Sequence, residues 1–230
     1  LKHFLSHSHF DIHIPTILRL AELVLTLNSF QFRDAHFIQT SGVAMGTRMG
    51  PSYACLFVAY VESQIFSQYT GLLPAFFRRF IDDCVGLWTY PESDLLAFIS
   101  FVNSFHPSLK FTHEISTTSL PFLDIQLTIT PASDTLSTSV HYKPTDSHSY
   151  LLFSSSHPSS TRHSIPFSQF LRLRRLCSSD SDFQARAREM VSFFTARGYP
   201  HPLVERALDR AAAISRTLAL TPQAQLDSED

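Results

Sequence analysis

The sequence predicts an α+β protein, an antiparallel sheet with accompanying helices followed by an all-α C-terminal bundle. Three observations point there. Short runs of aromatic and β-branched residues, separated by turn residues, recur as far as Tyr142. A Ser-rich stretch over residues 154–161, with Pro158 inside it, has the composition of a linker or loop. Three helical segments follow it. The predicted organisation is a mixed domain over residues 1–142, a connection over 143–163, a helical domain over 164–218 and an acidic tail over 219–230.

Residues 15–27 predict a helix with Pro15 in its first turn and Ile17, Leu18, Leu20, Ala21, Val24 and Leu25 on a buried face. Residues 30–33 and 36–39, with Asp34 and Ala35 between them, predict a hairpin. The Gly-rich segment 42–50 runs into a second helix, from Pro51 to about Gln68. Residues 79–88 predict another hairpin with Asp82 and Asp83 at its tip, since Asp tolerates tight turns. Ser93 is placed to cap a helix over residues 94–105, which must stop before Pro107.

Strands are expected over residues 110–116, 122–130 and 136–142, as an antiparallel meander. Leu123, Ile125, Leu127 and Ile129 alternate with polar residues, as in a half-buried strand. Helices are expected over 166–177, 182–197 and 202 to about 218. Gly198, able to adopt a left-handed conformation, and Pro200 end the middle one. The resulting helix, tight turn and helix resemble a helix-turn-helix. Residues 223–230 read as a frayed acidic tail.

A hydrophobic fraction of 44% in 230 residues supplies a core for one domain or two small ones. The 21 Phe point first to an aromatic core and second to base stacking. Eighteen Lys and Arg against 20 Asp and Glu give a net charge of −2, which excludes a polycation. The distribution differs, since residues 141–216 hold eleven basic residues against six acidic ones. That excess suits nucleic acid, and a solvated helix face produces the same count.

Cys55, Cys84 and Cys177 are odd in number and widely spaced, which points to a reducing, intracellular compartment, nuclear or cytoplasmic. Glu22 and Glu62 interrupt the two most apolar runs, so no membrane span is expected. The start, Leu1-Lys2-His3-Phe4, is neither a secretory signal nor a Met, and suggests a truncated product or a fragment. His3, His7, His9 and His13 lack Cys or carboxylate partners and read as a polar surface segment rather than a metal site.

Two features carry chemistry. Asp82 and Asp83 share a small volume, and two ionised carboxylates there repel each other unless a cation neutralises them. Hard oxygen ligands of this kind suit Mg²⁺. Taken alone, an Asp-Asp pair is more often a solvated hairpin corner than a metal site. Upstream, Gly42, Gly46 and Gly50 let the backbone approach a ligand closely, and the helix that follows favours phosphate at its N-terminus.

The segment from Gln39 to Phe57, taken with Phe80-Ile81-Asp82-Asp83, resembles the palm of reverse transcriptases. Met45 stands where many relatives carry Gln. Phe111 to Ser116 followed by Leu120 to Ile125 is similar to the strands after the catalytic hairpin, including the primer grip. Downstream, His141-Tyr142-Lys143-Pro144-Thr145-Asp146, Ser156-His157-Pro158, Ser164-Ile165-Pro166-Phe167-Ser168-Gln169, Leu171-Arg172-Leu173-Arg174-Arg175 and Arg197-Gly198-Tyr199-Pro200 resemble the thumb of Penelope-like retroelement reverse transcriptases. The resemblance runs from about Ile14 to Ala213 and implies the C-terminal half of a palm followed by a helical thumb.

It further implies an RNA-directed DNA polymerase that binds an RNA template, a DNA primer and deoxynucleotides, with two Mg²⁺ ions in the complete site. In that scheme Asp82 and Asp83 are catalytic and hold the metal, Phe80 and Ile81 form the floor beneath the primer end, and Gly42, Met45 and Gly46 line the nucleotide and template side. Arg172, Arg174 and Arg175 contact nucleic acid, with Arg172 and Arg175 three residues apart on one helix face. A third aspartate, on an earlier palm strand in that family, has no equivalent here, Asp11 being the only acid nearby. The resemblance therefore implies an incomplete centre with little or no polymerase activity in this chain alone. The alternative is a non-catalytic, retroelement-derived protein that binds nucleic acid through its helix-turn-helix-like part.

Overall fold

The computed structural model describes residues 1–6, 13–130 and 135–221. His7, His9, Asp11 and residues 222–230 of the expected acidic tail lie outside the described residues. The chain divides into two units, Leu1–Thr112 and His113–Asp230.

The first unit runs α1 (Lys2–Leu5), α2 (Ile14–Thr26), β1 (Ser29–Phe32), β2 (Ala35–Ile38), α3 (Gly50–Gln68), β3 (Phe76–Phe80), β4 (Asp83–Leu87) and α4 (Glu92–Phe105). Pro15 and Pro51 sit in the first turns of α2 and α3, where a missing N–H leaves no bond unmade. The helix α4 begins before Ser93, with Pro91 at its N-cap, so Ser93 lies within the first turn and caps nothing. It ends at Phe105, and an extended His106 precedes Pro107 as sterics require.

Val61 and Ile65 of α3 meet Phe98 of α4, with Phe66, Tyr69, Trp88 and Phe101 packed around them. This core is small. The expected buried face of α2 is only partly covered, with Ala21 buried, Ile17, Leu18 and Leu25 half-buried, and Leu20 and Val24 exposed. The hairpin β1–β2 exposes Phe30, Phe32, Phe37 and Ile38. The two hairpins form separate two-stranded sheets, and no continuous palm-like sheet joins them among the described residues.

The strand expected over residues 110–116 is absent. The side chain of Asn103 occupies the backbone of Phe111 instead: its Oδ1 accepts from the Phe111 N–H at 2.6 Å and its Nδ2 donates to the Phe111 carbonyl at 3.0 Å. Both groups that a neighbouring strand would use are thereby taken.

The second unit carries β5 (Ser119–Phe122), β6 (Ile125–Thr130) and β7 (Thr135–Val140), then α5 (Ser159–Leu176), α6 (Asp180–Ala196), α7 (His201–Ala212) and α8 (Arg216–Leu220). The three strands form an antiparallel meander in the order β5-β6-β7, as expected in kind, but its first strand is Ser119–Phe122 and not the one expected over 110–116. The strand expected over 122–130 is broken, because Leu123 and Asp124 form a turn.

That turn occurs three times. Phe32-Arg33-Asp34-Ala35, Phe80-Ile81-Asp82-Asp83 and Phe122-Leu123-Asp124-Ile125 are two-residue hairpin loops with Phe before the turn and Asp at its second position. In each, positive φ falls on the first turn residue: 54° at Arg33, 57° at Ile81 and 54° at Leu123. This is the φ pattern of type II′ turns. The sequence suggested that Asp would take the unusual conformation, and the structure assigns it to the residue before Asp. For β-branched Ile81 the left-handed region costs roughly 1–2 kcal/mol.

Helix packing in the second unit follows two matching stripes. Pro166, Phe170 and Leu173 along α5 with Cys177 at its C-cap, and Phe183, Ala187, Met190 and Phe194 along α6, are almost fully buried. Both sets step by four, three and four residues, one face of a 3.6-residue helix. Val204, Ala207 and Ala211 of α7 complete the core. The helix α5 begins at Ser159, well before Pro166, and so encloses that proline. The lost N–H bond costs about 3 kcal/mol in an exposed helix. Here complete burial of the ring offsets it. The expected third helix is two, since Ala213 and Ile214 interrupt it and Ser215 caps α8 by accepting from the Leu218 N–H at 3.2 Å.

The turn from α6 to α7 is a Schellman motif. The Tyr199 N–H reaches the Phe194 carbonyl at 3.1 Å and the Gly198 N–H reaches Thr195 at 3.0 Å, with Gly198 at φ +79°. The rings of Phe194 and Tyr199 pack at 5.1 Å, supplying the apolar contact of the motif.

In the first unit, Arg79 fastens β3 to α3. Its Nε and Nη2 donate to Glu62 Oε1 at 2.6 Å and Oε2 at 3.0 Å, while Nη1 donates to the Ile81 carbonyl at 2.8 Å. The pair is largely buried, at 13% and 20% side-chain exposure. One guanidinium thus holds both the helix and the strained turn.

Two substitutions probe these turns. Gly198→Ala is expected to destabilise the chain by about 1 kcal/mol with an unchanged urea m-value. A Cβ there meets nothing within 4 Å, so the loss comes from φ alone. Arg79→Met, which leaves Glu62 largely buried without its partner, is expected to cost about 2 kcal/mol in urea denaturation and to speed amide exchange across β4.

Candidate functional site

The structure gathers Phe80, Ile81, Asp82 and Asp83 at one hairpin tip. Asp82 is the second turn residue, and Asp83 opens β4 opposite Phe80. All four are exposed. Arg79 beneath them faces inward to Glu62, so the tip presents two carboxylates on an anchored base. Burial, reinforced by the Glu62 carboxylate, pushes the Cys84 thiol up to about 11, which keeps it protonated and unreactive as a nucleophile. Among the described residues no group of three or more His, Cys, Asp or Glu stands ready to hold a metal ion.

Gly42, Met45 and Gly46 lie on a separate loop before α3. Gly42 and Gly46 take φ of +79° and +94°, and the Met45 side chain is fully exposed. The loop is held by its own bonds, from Gln39 Nε2 to the Ser41 carbonyl at 2.8 Å and from Thr47 Oγ1 to the Ala44 carbonyl at 3.1 Å.

In the second unit most of the local positive charge is used internally. Arg162 donates to the Phe153 carbonyl at 2.6 Å, Arg197 to Tyr150 at 2.6 Å, Arg175 to Ala219 at 2.7 Å and Arg216 to Arg175 at 3.3 Å. Arg174 donates to the Ile214 carbonyl at 2.8 Å, pairs with Asp180 and lies 5.0 Å over the Phe183 ring. Arg186 pairs with Glu189 at 2.6 Å. These guanidiniums fasten loops and helix ends to the bundle, which the sequence count of charges does not reveal.

The three expected nucleic-acid contacts therefore part company. Arg174 is 13% exposed and committed, Arg175 caps the end of α8, and Arg172 reaches Asp124 in the β5–β6 turn at 2.5 Å. Of the three, Arg175 is exposed and Arg172 half-buried, with 39% of its side chain accessible. Lys143, Arg188 on α6 and Arg206 on α7 are exposed, and no hydrogen bond or ion pair engages them among the described residues. The signal for the two arginines was present in the sequence, since both fall off the buried stripes of their helices.

The outer side of α7 carries His201, Glu205, Arg206 and Asp209, all exposed. His201 Nδ1 lies 3.3 Å from Glu205 Oε2. This face mixes hydrogen-bond donors and acceptors. Behind it, the Schellman turn and the buried Val204, Ala207 and Ala211 fix its orientation against α6.

Comparison with known proteins is consistent with this geometry in one region. No curated protein and no solved structure matches the chain. Residues 149–217 match the family described as the animal helix-turn-helix domain. The helix, tight turn and helix of α6 and α7 lie within that segment, together with α5, so the helical part of this chain is similar to a helix-turn-helix domain.

Proposed function

We propose that this chain is a nucleic-acid-binding protein of retroelement origin, acting in the nucleus or cytoplasm, that holds duplex DNA through α6 and α7. The observation that carries this reading is the helix-turn-helix match over residues 149–217, a segment that contains α6, the tight turn and α7. In such motifs the second helix enters the major groove. That role falls to α7. Arg206 is suited to the acceptor edge of guanine, and Glu205 to the amino group of cytosine. Arg188, on the preceding helix, is placed for a backbone phosphate.

A second reading is favoured by the Phe80 to Asp83 tip: part of an RNA-directed DNA polymerase that takes an RNA template, a DNA primer and deoxynucleotides. Asp82 and Asp83 are then the catalytic carboxylates and would hold Mg²⁺, which neutralises nucleotide phosphates when bound. Two carboxylates plus substrate phosphates suffice for one Mg²⁺. A second ion needs a further carboxylate, and none joins the pair among the described residues. In this reading Phe80 and Ile81 would give the tip an apolar surface for the primer end, Gly42, Met45 and Gly46 would line the nucleotide and template side, and of the three arginines Arg172 would contact nucleic acid, since Arg174 and Arg175 already bond Ile214 and Ala219.

Fluorescence anisotropy with labelled duplex DNA tests the first reading. Arg206→Ala and Arg188→Ala are each expected to weaken binding about tenfold at low salt, and Arg188→Ala to lower the slope of log K against log salt by about 1. A wild-type chain that leaves duplex unbound at low salt removes the proposal. Primer extension on an RNA template separates the second reading. The chain is expected to incorporate no more nucleotide than Asp82→Asn, and incorporation that depends on Asp82 makes the polymerase reading primary.

A further inference from the structure

Neither reading of function uses the hairpin β1–β2, and the hairpin lacks cover. Every residue of its two strands is exposed, and Phe30, Phe32, Phe37 and Ile38 are 46–68% exposed. A two-stranded ribbon is marginal in water, and a third strand or a packed helix is what makes one stable. Among the described residues β1–β2 forms a sheet of its own.

The ladder shows where a third strand joins. The Gln39 N–H donates to the Asn28 carbonyl at 2.9 Å, just beyond the pair of Ser29 with Ile38. Bonded and non-bonded pairs alternate along an antiparallel ladder, so Phe30 and Phe37 exchange backbone bonds, as do Phe32 and Ala35. The N–H and C=O groups of Ser29 and Gln31 on β1, and of His36 and Ile38 on β2, therefore point away from the ribbon. Among the described residues no hydrogen bond from outside the ribbon reaches the backbone of His36 or Ile38.

The two edges differ in their side chains. On β2, Phe37 stands between His36 and Ile38, whereas on β1 Phe30 stands between the polar Ser29 and Gln31. Aromatic and β-branched residues favour pairing, which makes β2 the better edge. That edge is also its own complement. With two copies antiparallel and Phe37 opposite Phe37, His36 of each copy faces Ile38 of the other, and the free N–H groups of both edges meet the free carbonyls.

We infer that β2 is a self-association edge, through which two copies of the chain form a two-fold dimer with one four-stranded antiparallel sheet in the order β1-β2-β2-β1. The Phe30 and Phe37 rings of each copy stack at 5.5 Å, so pairing Phe37 with its counterpart makes one aromatic row across the axis. A strand of another protein has to bring the matching alternation, whereas a second copy brings it by symmetry. The strand edge with the flanks of Phe37 and Ile38 amounts to roughly 300 Å² per copy, short of the ~800 Å² per partner of a standard interface. The dimer is therefore weak and reversible, with a dissociation constant on the order of 100 µM. None of this rests on the nucleic-acid reading.

Sedimentation velocity of the full chain, from about 5 to about 500 µM, is expected to show a monomer–dimer equilibrium and no larger species. His36→Pro removes an outward N–H that the ribbon itself does not use, a change that edge strands tolerate, and is expected to weaken the dimer about tenfold. Gln31→Pro makes the same change on β1 and is expected to leave the dissociation constant within about twofold. Amide exchange of the unaltered chain gives a second readout: His36 and Ile38 are expected to slow as concentration rises, Ser29 and Gln31 to stay fast. A chain that remains monomeric throughout overturns the inference, as does a dimer whose His36 and Ile38 amides exchange as in the monomer. Equal weakening by the two proline variants overturns the choice of edge, and species larger than a dimer overturn the closed two-fold pairing.

Discussion

The second unit depends on the packing of two stripes, Phe170 and Leu173 of α5 against Phe183, Met190 and Phe194 of α6. Each of these large side chains contributes roughly 1.5–3 kcal/mol when fully buried. They also fix the rotation of both helices, and that rotation decides the fate of every arginine on them. Arg174 follows Leu173 directly, yet turns far enough round the helix to lie over Phe183 and reach Ile214. Arg188, next to the buried Ala187, is left facing solvent. The same constraint sets α7, because the Phe194 carbonyl accepts the Tyr199 N–H and the Phe194 ring packs on Tyr199.

A basic segment is therefore a poor guide to a nucleic-acid surface here. Five arginines donate to backbone carbonyls at loops and helix ends. A planar guanidinium suits this work because its several donors serve a carbonyl and a carboxylate at once. What remains for a ligand is a smaller set, with Arg188 and Arg206 on the two helices of the turn and Lys143 in the segment after β7. These lie on different elements of the unit, which suits a long ligand with repeated charges.

The first unit is organised differently. Its core is a few side chains of α3 and α4, and its hairpins expose many aromatic residues. Within it the Asp82-Asp83 tip is the best-anchored feature, because Arg79 bonds Glu62 and the Ile81 carbonyl together. Strain at Ile81 is tolerated because the side chain two residues earlier over-determines the turn. The same Phe-x-Asp turn recurs at Asp34 and Asp124, and at Asp124 the carboxylate engages Arg172. The turn is thus a general device of this chain for offering a carboxylate, and paired acids are particular to the Asp82 copy.

The sequence by itself determined the elements whose causes are local. Stripes three and four residues apart marked α5 and α6, Pro15 and Pro51 marked helix starts, Gly198 marked the turn into α7, and alternation marked β6. It placed Asp82 and Asp83 on a hairpin tip for the same reason, since two short strands and a turn are adjacent in the chain. Tertiary structure alone decided what depends on distant partners. Asn103 replaced a strand at Phe111, burial carried α5 through Pro166, and Glu62 gave Arg79 its role. The arginines Arg172, Arg174, Arg175 and Arg197 found partners 40 to 48 residues away. Periodicity records which face of a helix is apolar, because that repeats every turn. It carries no record of which carbonyl a guanidinium meets, because that is set only when the helices pack.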